Sequence, residues 1–120
     1  MLSLALVLAL ILGLCPGAVA ASGGYTDVSE NHWAYPYIQD VTERGVMNGV
    51  ASNLFQPDGT MTRAMFVTVL ARMSGETLYP DEPSVFPDVP TGKYFSGAVN
   101  WATERQIVTG YPDGTFGTDQ

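Results

Sequence analysis

The sequence predicts a mostly α-helical repeat protein that follows an apolar leader. Three observations carry this prediction. Residues 55–73 place a polar turn, a helix-starting Thr and an apolar stripe at helical spacing in one run. The chain matches itself, without a gap, at an offset of 61 residues. The first charge in the chain is Asp27, well behind an almost wholly apolar stretch over residues 2–14.

That apolar stretch is too short for a comfortable membrane span. Pro16-Gly17 breaks it, and Ala18-Val19-Ala20 puts small residues at −3 and −1 of a cut after Ala20. Residues 1–20 therefore read as a secretory signal peptide, and the remainder as secreted. No Lys or Arg precedes the apolar run, which leaves open a start upstream or an internal start at Met1. Lipid attachment through Cys15 is the weaker reading, because Leu14 precedes it where a small residue is wanted; a retained membrane anchor is the other alternative.

Of 120 residues, 12 are acidic and 5 basic, a formal charge of −7. That balance excludes bulk electrostatic capture of nucleic acid or anionic lipid. An anionic ligand would have to be caught by a local Arg. Cys15 is the only cysteine and lies in the leader, so the rest of the chain has no disulfide and no thiol chemistry.

Behind the leader, Tyr25-Thr26-Asp27-Val28 reads as a short extended piece. Ser29, Glu30 and Asn31 then offer side-chain oxygens before a first helix, with Asn31 the preferred N-cap. That helix carries Trp33, Tyr37, Ile38 and Val41 and runs to Arg44. Pro36 falls near its first turn, and Gly45 follows as a left-handed cap. Gly49 opens a loop to Phe55-Gln56-Pro57-Asp58-Gly59, where Pro presets φ and Gly permits a positive one. Thr62 caps the second helix. Ala64, Val67 and Ala71 on one side of it, and Phe66, Val69, Leu70 and Met73 on the next, form the stripe. Arg63 stands just inside the positive end, a place disfavoured for a cation by roughly 0.3–1 kcal/mol. A guanidinium kept there points to an anion-holding role. Residues 74–84, rich in Pro, Gly and acids, read as a linker.

The pattern then restarts. The offset aligns Tyr25 with Phe86, Asp27-Val28 with Asp88-Val89, and Trp33 with Tyr94. It also aligns Thr42-Glu43-Arg44 with Thr103-Glu104-Arg105, Gly49 with Gly110, and Phe55 with Phe116. Residues 25–73 form the first unit; residues 85–120 form a second that stops before its own Thr-Arg helix and is expected to be truncated. A unit with two amphipathic helices does not easily bury both faces alone, and repeat arrays bury such faces against neighbours.

These residues resemble the S-layer homology (SLH) repeat. That pattern runs from an aromatic-x-Asp-Val through a Trp-led helix, Gly-x-x-x-Gly and Phe-x-Pro-Asp-Gly to a Thr-Arg-Ala-Glu helix. The first unit supplies Tyr25-Thr26-Asp27-Val28, Trp33-Ala34, Gly45 and Gly49, Phe55-Gln56-Pro57-Asp58-Gly59, and Thr62-Arg63-Ala64-Met65. The second supplies Phe86-Pro87-Asp88-Val89, Tyr94-Phe95, and residues 107–116, which include Gly110-Tyr111-Pro112-Asp113-Gly114. The resemblance implies one complete and one truncated SLH-type repeat forming part of a pseudo-threefold helical bundle. It implies a non-catalytic, cofactor-free wall-anchoring module at the cell surface, whose grooves bind secondary cell-wall polysaccharide, often through a pyruvate ketal on an amino sugar. In the family the Arg of the Thr-Arg motif is a ligand contact, a role that here only Arg63 inherits. Two departures stand out. Met65 replaces the family's Glu, so the reciprocal half of a capping box is expected to be lost, weakening that helix start by up to about 1 kcal/mol. Gln106 stands where the first unit has Gly45, so the second unit's helix is expected to end differently.

Each site residue has a plainer reading beside the functional one. Arg63 is either a surface charge paired with a nearby acid or, given the resemblance, a bidentate partner for a carboxylate-bearing sugar. The helix amides next to it and Thr62 would add donors and a cap. Trp33 and Trp101 are read first as core or groove-wall residues and second as sugar platforms. Tyr111 offers ring or hydroxyl contact, or turn packing. Gly49 and Gly110 either admit a ligand close to the backbone or satisfy left-handed turns, the latter being preferred. His32 reads as an exposed first-turn residue with no nucleophile beside it. Asp58, Asp113 and Asp119 do not alternate as calcium ligands do, so they read as turn residues and no metal is expected. Two rival classes remain: a self-assembly module that binds no glycan, and the anchor of an enzyme whose catalytic domain lies beyond Gln120.

Overall fold

The structure, a computed structural model, describes residues 24–120. The expected signal peptide and Cys15 lie outside the described residues. The helices are α1 (Tyr35–Glu43), α2 (Arg63–Ser74) and α3 (Ser96–Glu104), joined by turns and irregular loops, and no strand occurs among the described residues. The chain is helical, as its pattern predicts.

Pro36 decides where α1 begins. A helix capped by Asn31 would need an N–H on Pro36 for the His32 carbonyl, and proline has none; its ring would also crowd that carbonyl. The His32 carbonyl instead accepts the Tyr35 N–H at 3.0 Å. The helix starts later, with Pro36 in its first turn and Ala34 as an N-cap that makes no side-chain bond. The expected Asn31 cap and the helical placement of Trp33 are thereby corrected. His32 is half-buried in the turn before the helix, where its Nδ1 accepts the Ala34 N–H at 3.1 Å.

The first and third helices end alike, which overturns the expectation drawn from Gln106. After α1, Gly45 at φ +68° donates to the Thr42 carbonyl at 3.0 Å, and Val46 donates to the Val41 carbonyl at 2.9 Å. After α3, Gln106 at φ +58° donates to Thr103 at 3.0 Å, and Ile107 to Ala102 at 2.9 Å. Both are Schellman ends, and their paired backbone bonds hold a glutamine in geometry that costs an L-residue about 1–2 kcal/mol.

The start of α2 bears out Thr62 as N-cap, its Oγ1 accepting the Met65 N–H at 3.2 Å. The expectation that Met65 forfeits the reciprocal bond is corrected, because its Sδ lies 3.5 Å from the Thr62 nitrogen and accepts its N–H. A thioether is a weak acceptor, so the box is closed but weaker than a carboxylate would make it.

Residues 25–59 and 86–120 fold as two similar lobes, called lobe 1 and lobe 2. Each is organised by a tilted ring pair: Tyr25 on Phe55 with centroids 5.3 Å apart, and Phe86 on Phe116 at 5.6 Å. Lobe 1 has its own small core of Tyr25, Val28, Ala34 and Ile38. The long helix of the first unit packs elsewhere. Ala64, Val67 and Ala71 of α2 join Ala98, Val99 and Ala102 of α3 in the core of lobe 2. Alanines at the crossing let the two backbones approach closely. Half of the expected α2 stripe is therefore buried against the second unit, while Phe66 and Met73 on the other flank are exposed. Residues 75–84 bring the chain back, with Leu78 packed on that core and the Asn100 side chain donating to the Glu82 carbonyl at 3.1 Å.

Candidate functional site

The junction between α2 and lobe 2 gathers four of the sequence-predicted site residues: Thr62, Arg63, Gly110 and Tyr111. Arg63 is the first residue of α2, and its backbone N–H donates to the Gln120 carbonyl at 2.7 Å, while that of Ala64 donates to Thr118 at 3.2 Å. Two of the free donors that open every helix are thus taken by lobe 2. The expectation that these amides would serve a ligand is corrected.

The Arg63 side chain lies over the same lobe. Its Nη2 donates to the Thr109 carbonyl at 2.5 Å, and its Cζ lies 4.8 Å from the Phe116 ring centre and 5.0 Å from that of Tyr111. Both rings present their negative faces to the cation. Its Nε is buried and makes no hydrogen bond, and among the described residues no carboxylate pairs with the guanidinium. The plainer reading, a surface charge matched to a nearby acid, is not what the structure shows.

Two aspartates to which the sequence analysis gives no site role build the lobes. Asp88 accepts the N–H groups of Phe116 and Gly117 at 2.8 Å each and that of Thr118 at 3.4 Å. Asp27 accepts those of Phe55 at 3.0 Å and Gln56 at 2.6 Å. The 61-residue offset that pairs the aspartates also pairs their partners, and that is the signal available in the sequence. Burial pushes the Asp88 carboxyl up, but the amides of Phe116, Gly117 and Thr118 outweigh it and hold it below the usual range. The Phe55 amide does most to hold Asp27 low. Asp113 is lowered chiefly by the Thr115 hydroxyl, which donates to its Oδ1 at 2.7 Å, a turn-capping role.

The other predicted residues lie apart from Arg63. Trp33 is 79 % exposed, with its ring stacked on His32 at 5.8 Å, so the preferred packing reading is corrected for it. Trp101 is buried in the lobe 2 core, under Arg105 at 5.3 Å, and its Nε1 makes no hydrogen bond among the described residues. It lines a polar cavity of about 400 Å³ with Glu76, Asn100 and Arg105. Gly49, at φ +77°, satisfies a left-handed turn, but Gly110 does not sit at positive φ. A Cβ on Gly110 would meet the Phe86 ring and the Thr115 carbonyl, and one on Gly49 would meet Tyr25 and the Leu54 carbonyl. Close packing within each lobe is the shared reason for both glycines. A second, apolar groove of about 540 Å³ runs between lobe 1 and α2, lined by Val50, Phe55, Met65 and Val69 among others. Among the described residues no cluster of His, Cys, Asp and Glu is arranged to hold a metal ion, and no helix is long and apolar enough to cross a membrane.

The chain's likeness to known proteins agrees with this repeat architecture. The profile of the S-layer homology domain matches residues 24–65 and 85–120. The chain is 32 % identical over 111 residues to cell surface glycoprotein 1 of Acetivibrio thermocellus, covering 83 % of this chain and 5 % of that protein. It is 32 % identical over 128 residues to an endoglucanase of a Bacillus species, covering 99 % of this chain and 13 % of the relative. It is 28 % identical over 118 residues to the cellulosome-anchoring protein of A. thermocellus, covering 93 % and 26 %. The chain thus spans from 5 % to 26 % of the length of these relatives. No solved structure matches it significantly.

Proposed function

The chain belongs to the S-layer homology domain family, and on that premise we propose that it is a secreted, non-catalytic module that anchors its carrier to the cell wall at the bacterial surface. The names of its relatives, a cell surface glycoprotein and a cellulosome-anchoring protein, support that reading. The ligand in this proposal is an acidic wall polysaccharide, and a pyruvylated amino sugar suits it best. One observation carries the choice: Arg63 sits at the positive end of α2 with a buried Nε and no carboxylate partner. A cation left unneutralised in a partly desolvated place favours an anionic ligand, and a carboxylate takes two parallel bonds from a guanidinium. Thr62, Gly110 and Tyr111 border that position, and the exposed Trp33 would serve another stretch of a long polymer; the buried Trp101 and the packed Gly49 have structural roles.

Co-sedimentation with purified wall sacculi tests the proposal. The folded chain is expected to pellet with intact sacculi and to stay in solution once the attached polysaccharide is stripped. Arg63→Ala is expected to reduce pelleting by about tenfold, the worth of one charge-assisted pair, at a temperature where circular dichroism shows it folded. Unchanged pelleting of folded Arg63→Ala overturns the role given to Arg63. A second reading, self-assembly without a glycan, is favoured by the exposed Trp33, Phe66 and Met73. Light scattering that shows large oligomers together with no sacculus binding would support it. The endoglucanase relative favours a third, that the carrier is an enzyme and this chain its anchor.

A further inference from the structure

The asparagines of the chain are Asn31, Asn48, Asn53 and Asn100, and the fold treats one of them differently. An asparagine loses its side-chain amide when the backbone nitrogen of the next residue attacks its Cγ. That nitrogen has to be free of hydrogen bonds and uncrowded. After Asn31, the His32 N–H donates to the Ser29 carbonyl at 2.9 Å. After Asn53, the Leu54 N–H donates to the Ala51 carbonyl at 3.4 Å. Asn100 lies inside α3, where the next nitrogen belongs to the helical ladder, and its own Nδ2 donates to the Glu82 carbonyl at 3.1 Å.

Asn48 departs from all three. The next residue is Gly49, which has no side chain to hinder the approach. Among the described residues the Gly49 N–H donates to no acceptor and the Asn48 side chain makes no hydrogen bond. Both residues are exposed, so water and hydroxide reach them. The 61-residue offset puts Thr109-Gly110 at this place in lobe 2, and a threonine has no side-chain carbonyl to attack.

We propose that Asn48-Gly49 is a self-modification site, at which lobe 1 converts its own side-chain amide into a carboxylate. The Gly49 nitrogen bonds to Asn48 Cγ, the Cγ–Nδ2 bond breaks, and the proton from Gly49 passes through solvent to Nδ2, which leaves as ammonia. The cyclic imide then takes up water. Opening at Cγ gives aspartate, and opening at the Asn48 backbone carbonyl gives isoaspartate, whose chain runs through the side chain. Nothing is oxidised or reduced. Either product adds one negative charge to a chain of −7. The new carboxylate stands in the groove between lobe 1 and α2, where Arg72 is the only charged residue of the lining. Isoaspartate also lengthens the backbone beside Gly49, where even a Cβ would meet the Tyr25 ring and the Leu54 carbonyl. The inference does not depend on the glycan reading.

Ageing the folded chain at neutral and mildly alkaline pH tests it, with anion exchange to resolve acidic species and tandem mass spectrometry to place them. The tryptic peptide 45–63 carries both Asn48 and Asn53, so one spectrum compares them. Conversion at Asn48 is expected to run at least about tenfold faster than at Asn31, Asn53 or Asn100, and faster at the higher pH. It is expected to stay within about tenfold of its rate in urea, because no bond of the fold holds the Gly49 N–H. Asn48→Gln, whose imide ring is larger and closes slowly, is expected to lose the acidic species. Asn48→Asp is expected to co-elute with one product and to melt with the parent, while the isoaspartate fraction melts lower. Conversion spread evenly over Asn48 and Asn53 overturns the inference. So does protection of Asn48 by the fold of more than about tenfold relative to urea, or an acidic species that persists in Asn48→Gln.

Discussion

The carboxylate of Asp88 holds the loop on which the two units meet, and replacing it by asparagine measures how much that is worth. Its Oδ1 accepts the Phe116 amide and its Oδ2 those of Gly117 and Thr118, while the carbonyls of Thr118 and Gln120 receive the start of α2. An asparagine there keeps one acceptor oxygen and turns an NH₂ toward the other amides. A bond to a charged acceptor contributes about 1.5–3 kcal/mol when buried. This carboxylate is only half-buried, and screening lowers the figure. A loss of about 2 kcal/mol is expected for Asp88→Asn at pH 7, or about 10 °C in melting temperature for a domain of this size. The pH dependence has a definite sign. The folded carboxyl lies below its ordinary value of 3.8, so its contribution is complete above that value and lost as the pH falls through the lower folded one. The difference between parent and variant is therefore full at pH 7 and closes as the pH drops below about 4. Thermal melts by circular dichroism at pH 7 and at about pH 2.5 read both quantities. Melting temperatures that coincide at pH 7, or a gap undiminished in acid, would show that the carboxylate does not hold the loop. Asp27→Asn is expected to matter less, since Asp27 takes two amides and, among the described residues, no helix start docks on its loop as α2 docks on that of Asp88.

Other outcomes follow from backbone geometry. Gln106→Gly relieves a non-glycine residue at φ +58° and should raise stability by about 1 kcal/mol, seen as a higher urea midpoint with an unchanged slope. Gly110→Ala drives a methyl into the Phe86 ring and the Thr115 carbonyl, and should cost about 2 kcal/mol or more by the same measurement.

Much of the architecture is legible along the chain. The Thr62 cap, the extent of α2 and the Gly45 end of α1 follow from residue types at fixed spacing. Those effects act within one turn of helix, so the sequence carries them directly. The start of α1 is not read correctly from Asn31 as a cap, because the deciding question is which carbonyl would need the N–H that Pro36 lacks. The Gln106 ending defies its side-chain preference because two backbone bonds outrank it. Arg63 stands out by its conflict with the helix dipole, but the two rings and the carbonyl that hold it come from the second unit. Asp27 and Asp88 carry no local signal because their partners lie 28 to 30 residues away.

The helices, the turns and the 61-residue repeat are encoded in the chain itself, since each depends on residues close in sequence or on a direct match between two stretches. Which surfaces meet is settled in three dimensions. The helix that closes the first unit in sequence completes the core of the second in space, because Ala64, Val67 and Ala71 bury more fully against the alanines of α3 than α1 with Tyr37 and Asp40 would allow. Pairing of this kind is a competition between whole faces, settled by shape and burial, and no local preference encodes its outcome.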